Sequence, residues 1–247
     1  MTLIQKIKQA IPSDAKVAIR SATNFLIPNE TLQASKEKWD KLAQQNARYF
    51  VLTDFGEKIT EEEFKKAGEK DFAELIANDE VLKSKLVDFK DKTVMEIGCG
   101  IGRITEFLSL NFKKVFAVDI SEEMVKMGSD RLKDRINITF IANDGQQHPS
   151  IKDSTVDFVF SYIVFQHMSN KKVVVENLKE IKRILTPNGI AKIQLRGLPT
   201  SKFNWFYGPS FSKDEVEKIL NSVGLKLIKT DGEKQRYFWI WFSKDRH

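Results

Sequence analysis

A carboxylate and three glycines alternate with other residues in Glu96-Ile97-Gly98-Cys99-Gly100-Ile101-Gly102. Val94 and Met95 precede the run, and Ile101, Ile104, Thr105 and Leu108 follow at helical spacing. This order predicts a strand, a tight turn and a helix. Glycine has no Cβ, so such a turn bends sharply and brings backbone close to a ligand. The new helix start aims unpaired N–H groups into the same crevice. The spacing is Gly-x-Gly-x-Gly, not the Gly-x-Gly-x-x-Gly of dinucleotide folds. Two further apolar runs also end in acids, one at Asp119 and one at Asn143-Asp144-Gly145. Acids at the C-terminal ends of parallel strands face the ligand crevice of an open α/β sheet. A dinucleotide needs one such acid, for a ribose. Three suit a cationic ligand that also carries a ribose diol and an adenine amine.

The elements that must hold these residues alternate. Strands are predicted near 93–98, 114–120, 138–143, 156–162 and 189–196, and helices near 101–112, 122–133, 171–185 and 213–223. Such alternation implies a parallel sheet with helices on both faces. The tail adds two strand runs, Leu225–Lys229 and Arg236–Phe242, separated by Asp231-Gly232. Period two puts Trp239 and Trp241 on one face, as core. Residues 34–90 read as helices, with Trp39, Leu42, Ala43, Asn46 and Phe50 on one face. Phe64, Ala67, Phe72, Leu75 and Ile76 belong to a further helical region.

The ordered set resembles the class I S-adenosylmethionine-dependent methyltransferases over roughly residues 90 to 242. The glycine turn resembles that family's first motif, and Val118-Asp119-Ile120-Ser121-Glu122-Glu123-Met124 resembles the segment after it. Asn143-Asp144-Gly145 looks like the adenine-contacting turn. Asp157–Tyr162 matches the fourth strand, and Leu178–Gly189 resembles the helix and turn before the fifth. The resemblance implies an α/β, doubly wound, seven-stranded, mostly parallel sheet with the last strand antiparallel, plus N-terminal helices. Residues 1–89 would be a helical extension or lid and 90–247 a Rossmann-like methyltransferase domain. The implied cofactor is S-adenosylmethionine. Gly98, Gly100 and Gly102 would let the turn pass its methionine and ribose parts. Glu96 would favour positive charge there, and Asp119 would accept both ribose hydroxyls. Asp144 would accept from the adenine amine, the Gly145 N–H would face a ring nitrogen, and Met124 would pack on the ring. Cys99, Arg103, Ile120, Asn143 and Ser161 complete the implied cofactor set. Cys99 reads as a small residue tolerated by tight packing.

The acceptor should meet the methyl group after strand four, at Ser161–Met168. His167 reads either as a general base or as a brace of the loop. Tyr162 and Gln166 would orient the acceptor. Helices before the glycine turn cover the cofactor in relatives, so Trp39, Tyr49 and Phe50 are lid or pocket candidates, with core packing favoured for Trp39 and Phe50. The aromatic stretch 197–209, with Trp205 and Tyr207, suits a wall for a sugar or ring. Aromatics there equally suit packing on the N-terminal helices. Strand four lacks the Asn/Asp-Pro-Pro-Tyr/Phe sequence that resembles methylases of nucleobase amines. These features point to a small-molecule acceptor, with a sugar or glycan-precursor hydroxyl as the leading reading. An RNA or protein methyltransferase is the alternative, and a non-catalytic cofactor-binding protein the third.

Composition sets outer bounds. One cysteine leaves no internal disulfide and suits a reducing, cytoplasmic setting. The net charge is +6 and the pI about 9.2, yet Lys36-Glu37-Lys38 and Glu61–Lys66 mix signs, which reads against a nucleic-acid partner. Three scattered histidines, His148, His167 and His247, make no metal cluster, and His148 and His247 read as a loop residue and a chain end. No apolar run has the length of a membrane span. Within residues 1–20, Leu3, Ile4, Ile7 and Ile11 form an amphipathic stripe. It reads either as a helix on its own domain or as a helix for a peripheral membrane contact or a partner. The oligomeric state is not legible.

Overall fold

The computed structural model describes residues 31–198 and 208–244. The N-terminal stripe, His247, Trp205 and Tyr207 lie outside the described residues.

Helix α1 (Leu32–Val51) starts where the Thr31 side chain accepts the Ala34 N–H. It kinks at Asn46 (φ −167°, ψ 83°), whose side chain accepts from Tyr49 N and donates to Glu57 O. Local side-chain hydrogen bonds of this kind compete with the helix ladder. Hence one continuous face does not run from Trp39 to Phe50. Helix α2 (Glu61–Phe72) opens on a capping box between Thr60 and Glu63. It passes through a π turn (Ala73–Ala77), and α3 (Glu80–Leu86) follows. Then come β1 (Thr93–Ile97), α4 (Thr105–Asn111), β2 (Lys114–Asp119), α5 (Glu122–Arg131), β3 (Ile138–Ala142) and β4 (Val156–Ser161). The chain ends with α6 (Lys171–Ile184), β5 (Leu185–Leu195), α7 (Lys213–Ser222), β6 (Leu225–Asp231) and β7 (Phe238–Lys244).

The seven strands run in the order β3-β2-β1-β4-β5-β7-β6, with β7 antiparallel to both neighbours. The expected mostly parallel sheet and its antiparallel last strand are both present. Alternation along β1 sends Met95 and Ile97 to a core shared with α6 and α7. Val94 goes to the opposite core, with Ile76, Leu82, Phe107, Phe158 and Trp241. Strands buried on both faces explain the near-continuous apolar runs. Helices α2 and α3 therefore cover one face of the sheet itself.

Two boundaries differ from the sequence reading. The first helix after the glycine turn begins at Thr105 rather than 101, because the turn consumes Ile101–Ile104. Strand β5 begins at Leu185, before the Pro187-Asn188-Gly189 turn. Leu185 pairs with Val156 and Ile190 with Phe158, so the intervening residues bulge out of the ladder.

Candidate cofactor and acceptor site

The C-terminal ends of β1, β2 and β4 open into a cavity of about 390 Å³. Its floor is the glycine turn. Gly98, Gly100 and Gly102 have φ of 77°, 52° and 85°, values that favour glycine. A Cβ on Gly98 would stand 2.0 Å from the Val164 side chain, and one on Gly100 2.8 Å from Val51. The turn is thus pressed between the loop after β4 and the end of α1. Gly102 serves the turn but packs against Leu132 and Phe140, away from the cavity.

Three titratable side chains meet around this floor. Glu96 is 5% exposed, and Thr105 Oγ1 donates to its Oε2 at 2.5 Å. Burial pushes the Glu96 carboxyl up to about 8, against the Thr105 hydrogen bond and the Arg103 charge. Asp119 accepts the Gly100 N–H at 2.8 Å on one oxygen and the Ser121 N–H at 2.9 Å on the other. Burial raises its carboxyl above the usual range, while those amides pull it down. Each carboxylate oxygen keeps a second lone pair. Arg103 lines the cavity and pairs with Asp71 of α2, and its Nε is buried without a partner. Cys99 is buried beside them, and desolvation drives its thiol well up, as an inert packing residue requires.

Helix α1 is docked as one wall. Asp40 accepts from Ser121 Oγ at 2.6 Å and from Glu123 N at 3.3 Å, and pairs with Lys36 at 3.1 Å. Leu32, Ser35 and Trp39 of α1 face the cavity, as do Phe50, Leu52 and Thr53 beyond its kink. Trp39 and Phe50 are therefore half-buried cavity walls rather than core. Tyr49 does not line the cavity; its ring packs edge-on against Phe50 at 5.0 Å.

At the far end stand Ile120, Met124, Asn143 and Gly145. Asp144 is not with them. It is exposed and caps its own turn by accepting from Gln146 N and Gln147 N. The Gly145 N–H is likewise spent on Asn143 Oδ1 at 3.1 Å. Ser161 is fully buried off the cavity, where its Oγ donates to Ile97 O at 2.8 Å and ties β4 to β1. His148 lies in a loop, as the sequence suggested. It is fully buried, its Nδ1 faces Asn143 Nδ2 at 3.1 Å, and its Nε2 has no partner.

On the acceptor side, Tyr162, Gln166 and His167 line the cavity. Tyr162 stacks on Trp239 at 5.4 Å, and His167 meets the edge of Trp39 at 5.9 Å. Asn177, Ser35, Arg236 and Tyr237 are among the cavity residues that escaped the sequence reading. Asn177 is a polar residue within the apolar stripe of α6, and its side chain donates to Gly145 O at 2.8 Å. That break in the stripe was a usable signal. Ser35, Arg236 and Tyr237 arrive through tertiary folding alone. Among the described residues no group of side chains could hold a metal ion, and no helix is long and apolar enough to cross a membrane.

Residues 95–193 match the family model described as a methyltransferase domain. A malonyl-[acyl-carrier protein] O-methyltransferase of Ilyobacter polytropus is 30% identical over 109 residues, 43% of this chain and 40% of that protein. A ribosomal RNA small subunit methyltransferase A of Streptococcus thermophilus is 38% identical over 79 residues, 30% of this chain and 27% of that protein. This chain thus spans well under half the length of these curated relatives. The crystal structure of a SAM-dependent methyltransferase from Aquifex aeolicus superposes with a TM-score of 0.53 at 26% identity. It covers 75% of this chain and 98% of that one.

Proposed function

We propose that this chain, whose residues 95–193 match a model described as a methyltransferase domain, is a class I S-adenosylmethionine-dependent methyltransferase that transfers a methyl group to a small-molecule acceptor. The observation that carries the reading is the pair of acids, buried Glu96 and half-buried Asp119, facing one cavity across the glycine turn. A carboxyl held near 8 by burial has room for a cationic partner that would ionise it. S-adenosylmethionine, when bound, supplies a methyl group on a sulfonium already activated for displacement.

The chain's own work is orientation and exclusion of water. Glu96 would balance the positive end of the cofactor. The free lone pairs of Asp119 would accept the ribose hydroxyls, while its other lone pairs hold Gly100 N and Ser121 N. Asn143, Ile120 and Met124 would flank the adenine, with Asn177 bracing Gly145. Tyr162, Gln166 and His167 would face the acceptor, opposite Trp39 and Phe50. Transfer needs acceptor, methyl and sulfur in line at about 3 Å, which wall residues from α1 and the β4 loop would enforce. A closed apolar wall also strengthens the local charges.

A lid role within the expected extension 1–89 is part of this proposal for α1 and the segment to Thr53, supported by the docking of α1 through Asp40. A cytoplasmic setting is part of it too, supported by the single buried thiol. The small-molecule class is favoured because α1 walls the cavity and because no Asn/Asp-Pro-Pro-Tyr/Phe sequence stands after β4. A sugar hydroxyl as acceptor draws its support from Trp205 and Tyr207, outside the described residues. The test is a screen with methyl-labelled S-adenosylmethionine against small-molecule, glycan and RNA pools. Label should pass to a small-molecule or glycan pool. Transfer to RNA alone would replace the small-molecule reading.

A further inference from the structure

One backbone amide fixes the direction of a buried chain of hydrogen bonds that ends on His167. Ile163, two residues past the end of β4, sits at φ 58°, a conformation that β-branched residues rarely adopt and that persists only where the surroundings enforce it. Its N–H donates to Gln194 Oε1 at 3.0 Å. A backbone N–H can only donate, so Gln194 presents its oxygen there and its NH₂ on the other side. That NH₂ donates to the Leu195 carbonyl and, at 3.1 Å, to Gln166 Oε1. Flipping Gln194 would set NH₂ against the Ile163 N–H and oxygen against the Leu195 carbonyl.

Gln166 must then turn its own NH₂ toward His167, and its Nε2 lies 3.1 Å from His167 Nε2. Gln194 and Gln166 are 0% and 1% exposed, so water does not relax the sequence of donors and acceptors. An amide NH₂ has no lone pair to offer. His167 Nε2 is therefore the acceptor, and a neutral imidazole that accepts at Nε2 carries its proton on Nδ1.

We propose that the Gln194–Gln166 relay locks His167 as the Nδ1–H tautomer, with Nε2 held by the Gln166 NH₂, so that it is not the base that deprotonates the acceptor. The role at the acceptor rests on the methyltransferase reading; the tautomer does not. Nδ1 already holds a proton. Taking one at Nε2 would set N–H against NH₂. The acceptor must then be nucleophilic without help from His167, as a carboxylate or an uncharged amine is, or lose its proton elsewhere.

The test is ¹⁵N NMR of the folded protein with labelled histidine, through correlations between ring nitrogens and carbon-bound protons. The chain has three histidines, and His167→Gln assigns the one of interest. Neutral His167 should show a protonated Nδ1 and an unprotonated Nε2. An Nε2–H signature, or averaging of the two nitrogens, would overturn the proposal. Gln166→Glu gives the ring an acceptor in place of the NH₂ and should move the proton to Nε2. An unchanged tautomer in that variant also overturns it. Adding S-adenosylmethionine to the wild-type sample separates the two readings. Absence of binding beside an intact Nδ1–H signature would remove the function and leave the tautomer standing.

Discussion

Glu96 makes binding of a cationic cofactor depend on pH in a way that can be worked out from its surroundings. Its carboxyl is buried and held near 8, so the free site is mostly neutral at pH 7. A cation beside it favours the carboxylate. Binding at pH 7 should therefore expel roughly 0.9 of a proton from this group. The affinity should rise about 25-fold between pH 6.5 and 8.5, if the bound carboxyl stays ionised throughout. The amino group of the ligand titrates in the same range, near 7.7–8.0 in a model α-amine. Glu96→Gln removes the carboxyl and leaves that amine contribution in place, so the difference between the two proteins isolates Glu96. Calorimetry of S-adenosylmethionine binding in buffers of different ionisation enthalpy counts the protons. Equal proton release by wild type and Glu96→Gln would refute the reasoning.

Other residues give independent readouts. Asp119→Ala removes the proposed ribose acceptor and should weaken S-adenosylmethionine binding by about 10- to 150-fold, corresponding to about 1.5–3 kcal/mol. It also frees Gly100 N and Ser121 N, so urea unfolding should show a loss of stability alongside. Burial pushes His148 down to about 4, whereas the unfolded imidazole titrates near 6.5. The unfolded chain thus binds more protons between those values, and the stabilisation present above pH 6.5 is lost as pH falls toward 4. Wild type should lose about 2–3 kcal/mol more than His148→Gln between pH 7.5 and 4.5 by urea unfolding, and parallel losses would contradict this assignment. Lys192 and Asp79 form a buried pair at 2.7 Å, flanked by Trp239 and Trp241. Lys192→Ala strands the Asp79 carboxylate and should cost about 3–5 kcal/mol, while Lys192→Met with Asp79→Asn should cost less.

The sheet and its glycine turn were legible because they depend on local rules. Apolar runs buried on both faces, acids at strand ends and glycines at positive φ leave marks in the sequence itself. The limits of the reading lie where neighbours in sequence part company in space. Asn143 faces the cavity while Asp144 caps a turn, and nothing in Asn143-Asp144-Gly145 tells the two carbonyl-bearing side chains apart. Trp39 and Phe50 were read as core because an apolar helix face looks the same against a core or a cavity. The Asn46 kink then separates the two, through side-chain bonds that spacing does not reveal. Arg236 and Tyr237 join the site from the β6–β7 hairpin, far along the chain, where only the folded sheet brings them near β4. His148 is the loop residue the sequence suggested, but its burial against Asn143 leaves no mark in the sequence.

The central claim is that the cavity at the ends of β1, β2 and β4 takes S-adenosylmethionine. Isothermal titration of the full chain with S-adenosylmethionine and, separately, with a nicotinamide dinucleotide tests it most directly. The account predicts saturable, one-to-one binding of S-adenosylmethionine that Asp119→Ala weakens, and no heat from the dinucleotide. Dinucleotide binding with no response to S-adenosylmethionine would contradict it.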